Sequence, residues 1–194
     1  MGGAPNVVLA STSSVRGALL TAAGVSFEAV APGVDEDAAK ASFSAEGLSP
    51  RDMADALAEL KAVRVSMRRP GLVVGADQTL ELEGAMLDKA PDDASARMRL
   101  TALRGKSHKL HSAVVVALNG QPIWREIVSA KLTMRPFSDA FLDDYMDRAG
   151  EALTVRTDAL AQTVEDLAQA PVVNRNGLVV RVADVAVVEI GQAP

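Results

Sequence analysis

Apolar residues occur in short clusters whose spacing alternates between strand-like and helix-like. Val7 to Ala10 is an apolar run ending in the polar cluster Ser11, Thr12, Ser13 and Ser14. After it Leu19, Leu20 and Ala23 recur at helical spacing, and Gly24 supplies a stop. This predicts a strand, a Ser-rich turn and a helix. Val25 to Val30 predicts a second strand, and Asp35 to Gly47 a polar, Ala-rich connection. Ser49-Pro50-Arg51-Asp52 combines an N-cap residue, proline at the first helical position and an acid in the first turn. The helix it opens carries Met53, Leu57, Leu60 and Arg64 on or near one face, and Pro70-Gly71 ends it. The continuous run Leu72 to Ala76 predicts a strand covered on both faces. A further short strand is expected at Thr79 to Leu82, then a loop carrying Lys89. Pro91 to Leu103 predicts a helix with Met98, Leu100 and Leu103 inward.

Two long strands follow, His111 to Leu118 and Ile123 to Met134, with Asn119-Gly120 between them as a strong hairpin signal. Ser138 caps a helix to about Arg148, closed by Ala149-Gly150. Strands and helices alternate, yet the hairpin is antiparallel, so the fold class is α/β with a mixed sheet. There is no internal repeat and no low-complexity linker. Residues 151 to 194 change character, with no aromatic, Lys, Ser or His. Within them Thr157 to Gln169 predicts a helix, and Asn174-Arg175-Asn176-Gly177 a turn between short Val-rich strands.

Composition narrows the picture. The 194 residues suit one domain spanning 1–194, and 48% hydrophobic with 23% charged residues is ordinary for a globular protein. Aromatics are only 3%, so the core must be built from Ala, Val, Leu and Met, and a base-stacking platform is not available. A formal net charge of −5 argues against a nucleic-acid polymer as partner, while leaving room for a small anion in a local cationic cleft. The absence of cysteine removes disulfides, thiolate zinc sites and Cys nucleophiles. The start lacks a signal-peptide pattern and no apolar run is long enough for a membrane span, so a cytoplasmic protein without a membrane partner is expected.

Candidate chemistry gathers at a few places, each with a plainer reading beside it. Ser11 to Arg16 puts hydroxyls and a guanidinium at a helix N-terminus, where free N–H groups and the macrodipole suit a phosphate. Simple N-capping by Ser13 or Ser14 explains the same residues. Asp77, in Gly75-Ala76-Asp77-Gln78, follows the apolar strand at the end where α/β sheets bind ligands. It could hold Mg²⁺ or orient a water, or simply close an Asx-turn. Asp35-Glu36-Asp37 is either a further metal ligand source or a solvated acidic loop. Lys61 and Lys89 could offset phosphate charge or merely be solvated. His108 and His111, three apart on a strand, face opposite sides and do not make a metal pair. Met86, Met98, Met134 and Trp124 are assigned to packing.

In order along the chain these pieces resemble the Maf family, known as septum-formation inhibitors and nucleoside triphosphate pyrophosphatases. Leu9-Ala10-Ser11-Thr12-Ser13-Ser14-Val15-Arg16 is similar to that family's LASxSPRR-type loop, and Pro32-Gly33-Val34-Asp35-Glu36 to its P-x-VDE element. Leu60-Lys61-Ala62 resembles its lysine-bearing helix, and Gly75-Ala76-Asp77-Gln78 with Gly84 and Lys89 its GAD segment and downstream lysine. The resemblance covers about residues 5–150. It implies a two-lobed, Maf/ITPase-like fold with a central cleft, a divalent metal cofactor (Mg²⁺ or Mn²⁺) and commonly a homodimer. The reaction implied is hydrolysis of a nucleoside triphosphate substrate, possibly a modified or non-standard one, between its α- and β-phosphates. Carried over by position, Ser11, Ser13 and Arg16 would hold phosphates, with Lys61 and Lys89 offsetting their charge and Gln78 also touching substrate. Glu36 and Asp77 would hold the metal, with Asp77 also the catalytic general base.

Three departures stand out. Val15 takes the place of the first of two arginines, Ala90 that of a proline, and residues 151–194 lack the family's Gly-rich, Gln-containing stretch and aromatic tail. They motivate two other expectations: a catalytically weakened nucleotide-binding or regulatory protein, and an interaction module using the Val-rich C-terminal segment as an oligomer edge. Gln78 resembles the 7-methyl-GTP branch, where the uridine/thymidine branch has Thr, and the base stays open.

Overall fold

The computed structural model describes residues 6–149, 171–175, 178–181 and 186–190. Its elements run β1 (Val7–Leu9), α1 (Ser14–Ala22), β2 (Glu28–Ala29), α2 (Glu36–Ala45), α3 (Pro50–Ser66), β3 (Leu72–Leu82) and β4 (Ala85–Leu87). They continue with α4 (Asp93–Leu103), β5 (Ser107–Leu118), β6 (Gln121–Met134), α5 (Asp139–Ala149), β7 (Pro171–Arg175), β8 (Leu178–Arg181) and β9 (Ala186–Ile190). The main sheet has the order β2-β1-β3-β5-β6-β9, with β4 also paired to β3. Parallel β1–β2 and β1–β3 pairs coexist with antiparallel β3–β4 and β6–β9 pairs. The mixed α/β sheet expected from the sequence is present.

The chain divides into two compact units: residues 1–79 with 111–128, and residues 80–110 with 129–194. In the first unit β1, β2 and the start of β3 are parallel, with β1 in the middle. The chain leaves β1 toward β2 through α1, then returns past β1 to β3 through α2 and α3. Right-handed crossovers in opposite directions put α1 on one face and the other two helices on the other. The core confirms the second half: Val8, Ala10 and Val73 pack with Val65 of α3. A second cluster joins Ala54, Ala58 and Ala62 of α3 to Ala113, Val115 and Ala117 of β5. With few aromatics available, small residues let this helix lie close to the strands. Gly75 takes that furthest, since a Cβ there would stand 2.3 Å from the Ala58 carbonyl oxygen and 2.6 Å from the Ala62 nitrogen.

Local signals explain several boundaries. Ser49 caps α3 by accepting from Asp52 N at 3.2 Å, and Pro50 is the first helical residue. Asn119 and Gly120, both at positive φ, form the two-residue turn between β5 and β6, and Gly120 N donates to Ser66 Oγ at 2.7 Å. In the second unit Glu83-Gly84 makes the corresponding turn from β3 to β4. Arg104 there bonds Asp139 at 2.7 Å and stacks over Phe137.

Some expectations need correction. The connection at 35–47 contains α2, because Asp35 caps it and Glu36 and Asp37 favour its first turn. The pieces expected at 72–76 and 79–82 are one strand, β3. The second strand is shorter than expected, at two residues. Met98 and Trp124 are exposed rather than packed inside. The helix expected at 157–169 lies outside the described residues, as does the tip, 176–177, of the turn expected at 174–177; the strands on either side of that tip pair as a hairpin.

Candidate functional site

The polar residues of the first unit converge where β1 ends beside β3. The pairing of these strands stops at Leu9 opposite Val74, with Ala10 N donating to Val74 O at 2.8 Å. Past that point the chain turns from β1 into α1, while β3 runs on through Gly75, Ala76 and Asp77. Neighbouring strands lie about 4.8 Å apart, so the Ser11 turn begins within one or two residues of Asp77. The parallel strands also diverge here toward crossovers on opposite faces, the position at which open α/β sheets bind ligands.

Asp77 sits inside β3, not in an Asx-turn at its end. Alternation along the strand points it, with Val73 and Thr79, toward α3. Thr79 Oγ1 fixes that contact by donating to Pro50 O at 2.6 Å. Lys61 lies on the buried stripe of α3, and only 3% of it is exposed. Its ammonium donates to Asp77 Oδ1 at 2.6 Å and pairs with Glu36 Oε1 at 3.0 Å. Asp77 is 8% exposed, whereas the Glu36 side chain retains 45%, so the cluster meets solvent chiefly on the Glu36 side.

Glu36 reaches this position because its loop is held at both ends. Asp35 Oδ1 accepts from Ala38 N at 3.0 Å, starting α2. Upstream, Arg68 at the end of α3 donates to Pro32 O at 3.1 Å. Two carboxylates from separate elements thus face the Lys61 ammonium. Among the described residues no group of three or more His, Asp or Glu is arranged for a metal. Glu36 and Asp77 nevertheless converge as two hard oxygen donors, which fits Mg²⁺ or Mn²⁺ when phosphate oxygens and waters complete the shell.

The Ser11 turn is wired internally. Ser11 Oγ accepts from Ser13 N at 3.1 Å and from Arg16 Nη1 at 3.2 Å, so its hydrogen is left to donate. Ser13 is the N-cap of α1 and accepts from Arg16 N at 3.4 Å, as the plainer reading held. The N–H groups of Ser14 and Val15 in the first turn have no acceptor among the described residues. Val15, 67% exposed, leaves Arg16 as the guanidinium of this turn.

Gln78 follows Asp77 and therefore faces the opposite side of the sheet, exposed, with Nε2 donating to Ser112 Oγ at 2.8 Å. Lys89 belongs to the second unit, exposed on the loop between β4 and α4, and is not among the groups that the first unit assembles. Sequence reasoning overlooked Thr79, Ser112 and the burial of Lys61. The last had a signal: Lys61 falls four residues from both Leu57 and Val65, at an apolar position of the helix repeat. His108 is buried and burial pushes its pKa down, and among the described residues its Nδ1 has no partner.

Residues 6–177 match the family model described as Maf-like protein. A protein of Caulobacter vibrioides named nucleoside triphosphate pyrophosphatase is 66% identical over 147 residues, covering 76% of this chain and 74% of its own. Proteins of the same name from Rhodospirillum rubrum and Paramagnetospirillum magneticum are 53% identical over 151 residues and 49% identical over 161 residues. These alignments cover 77% of this chain and 75% of the relative in the first case, and 82% of each in the second.

Proposed function

The chain belongs to the Maf-like family, and on that footing we propose that it is a nucleoside triphosphate pyrophosphatase. Water attacks one phosphorus of the α–β anhydride, the bridging P–O bond breaks, and a nucleoside monophosphate and pyrophosphate result. Supporting this reading above all is the Glu36–Lys61–Asp77 cluster beside the Ser11–Arg16 turn, at the strand ends where an α/β sheet binds ligands.

In this reading Ser11 donates its hydroxyl hydrogen to a phosphate oxygen, and Arg16 with the first N–H groups of α1 carries the remaining charge. Ser13 holds that turn in shape and offers a second hydroxyl. Lys61 takes Asp77 Oδ1, which leaves Oδ2 to orient and deprotonate the attacking water. Glu36 and Asp77 hold Mg²⁺ or Mn²⁺, which when bound neutralises charge on the phosphoryl oxygens. Lys89 is a further candidate cation on the family resemblance alone. Phosphoryl transfer needs little more than such positioning and electrostatics.

Pyrophosphate release from a nucleotide panel with Mg²⁺ or Mn²⁺ tests the proposal, with Asp77→Asn beside the native protein. Turnover by the native chain and a loss of about 10²-fold or more in Asp77→Asn are expected. Equal release by both removes Asp77 from its role. The exposed Val15, standing where the family has a cation, favours a second reading in which the protein binds nucleotide with weakened catalysis. Thermal stabilisation without turnover separates it from the first.

A cytoplasmic location is part of the same proposal; no helix among the described residues is long and apolar enough to cross a membrane. A homodimer is the expected assembly, with exposed Ile123, Trp124 and Val128 as its candidate contact. A monomeric mass by light scattering rules that out.

A further inference from the structure

Away from the Lys61 cluster, α3 turns a second stripe outward. Between it and α2 lies a groove of about 430 Å³. The floor is apolar, from Phe43 and Leu48 on the α2 side and from Ala56, Leu60 and Val63 on α3, all of them half-buried. None of the residues of α2 is buried, so this wall of the groove stands open. Along α3 the groove runs from Asp52 to Val63, about 16 Å at 1.5 Å per residue. A volume of about 430 Å³ spread over that length leaves room for a row of side chains rather than a compact ligand.

The rim has one sign of charge. Asp52, Asp55 and Glu59 line it, and among the described residues no Lys or Arg does. Arg125 of β6 shows what these acids accept, since its guanidinium donates to Asp55 Oδ2 at 2.6 Å and also to Glu59 Oε2. Asp52 accepts from the Ser49 hydroxyl at 2.7 Å, with Arg51 no nearer than 4.0 Å. We propose that this groove docks a basic amphipathic helix of a partner protein, with its apolar stripe on the floor and its Lys or Arg side chains against the rim. A helix sets apolar side chains at i, i+4 and i+7 over about 10 Å, so three anchors fit the available length. An extended segment would turn every second side chain away from the floor. Nucleic acids and anionic membranes are repelled by the same carboxylates. Docking here requires no turnover at the Lys61 cluster.

The probe is a dye-labelled Leu/Lys peptide of about 15 residues, long enough to be helical, with Leu at i, i+4 and i+7. One control has the same residues in scrambled order, and a second keeps the stripe but carries Glu for Lys. Anisotropy measures their binding to the full chain in about 0.15 M salt, where distant charges are screened. The native protein should hold the Leu/Lys helix about tenfold or more tighter than either control. Ala56→Lys obstructs the floor and Glu59→Lys reverses part of the rim, and each should weaken binding about tenfold. Asp147→Lys makes the same charge change as Glu59→Lys at an exposed position of α5 outside the groove, and should leave binding within about twofold. Circular dichroism checks each variant for folding. Should Ala56→Lys fail to fold, Glu59→Lys on the half-exposed rim carries the test.

Equal binding of the scrambled peptide would reduce the interaction to charge attraction and overturn the proposal. So would equal binding of the Leu/Glu peptide, an affinity unmoved by the groove variants, or a loss as large in Asp147→Lys. Absence of binding by the Leu/Lys helix overturns it outright.

Discussion

Replacing Gly75 by alanine tests how the strand and helix of the first unit hold the site together. The added Cβ would lie 2.3 Å from Ala58 O, 2.6 Å from Ala62 N and 2.8 Å from Ala62 Cβ, against an ordinary contact beginning at 3.4 Å. Two of these obstacles are backbone atoms, so no rotamer change relieves them. The helix must retreat by about 1 Å, and overpacking of this kind costs roughly 1–3 kcal/mol. Lys61 sits on the same turn, between Ala58 and Ala62, and moves with it. Its 2.6 Å bond to Asp77 would open by about the same 1 Å, beyond hydrogen-bonding range. A misplacement of that size can cost about 10²-fold in rate. Gly75→Ala should therefore lower the urea midpoint by the equivalent of at least about 2 kcal/mol at unchanged slope, and reduce pyrophosphate release about 10²-fold. A variant within about 0.5 kcal/mol of the native protein and fully active would refute the close approach of α3 to β3. The placement of Lys61 against Asp77 would fall with it.

Two further predictions concern buried charge. Lys61→Met strands Asp77 without its counter-charge and should cost about 3–5 kcal/mol, whereas Lys61→Met with Asp77→Asn should cost less than the sum of the singles; additive losses in a denaturation cycle would dissolve the pair. His108 has its pKa lowered in the folded state by burial, from an ordinary value of 6.5, against a smaller opposing hydrogen bond to the Lys106 backbone. Above pH 6.5 both folded and unfolded chains carry it neutral, so it adds no pH dependence. As pH falls below that value the unfolded chain takes up the proton first, and stability should drop by at most about 1.4 kcal/mol per pH unit until the lowered folded pKa is reached. His108→Gln should flatten that part of the stability curve, and an unchanged slope would remove His108 as its source.

The parts of this fold that could be read from the chain are those governed by neighbours in sequence. Ser49, Pro50 and Asp52 announce α3 because capping is settled within four residues, and Asn119-Gly120 announces the hairpin because both residues tolerate positive φ. The helix α2 was missed because Asp35, Glu36 and Asp37 serve two purposes at once, capping a helix and looking like a solvated acidic loop. The continuity of β3 was missed because Asp77 and Gln78 interrupt its apolar run, and only the helix above and the strand beside them explain their presence. Trp124 was assigned to packing on residue type alone, which carries no information on the face a strand turns outward, and Met98 was read inward from the helical spacing of 91–103, yet both are exposed.

The candidate site shows the same division more sharply. Each of its residues has a local explanation without chemistry: Ser13 caps a helix, Asp35 caps another, Lys61 is one lysine among many. What removes that neutrality is topology. Parallel pairing brings the end of β1 alongside β3, crossovers in opposite directions open the sheet at that point, and a glycine lets the helix press its buried lysine against the strand. An ammonium 3% exposed is costly to bury, and in the first unit it is compensated by two carboxylates from separate elements. Stability by itself gives no reason to retain such an arrangement, since apolar side chains of similar size would fill the same seam at least as well. The proposed catalytic role would give one. For that role the charges would have to stay dry enough to act strongly on a phosphate, yet remain open to solvent, as the half-exposed Glu36 side chain is.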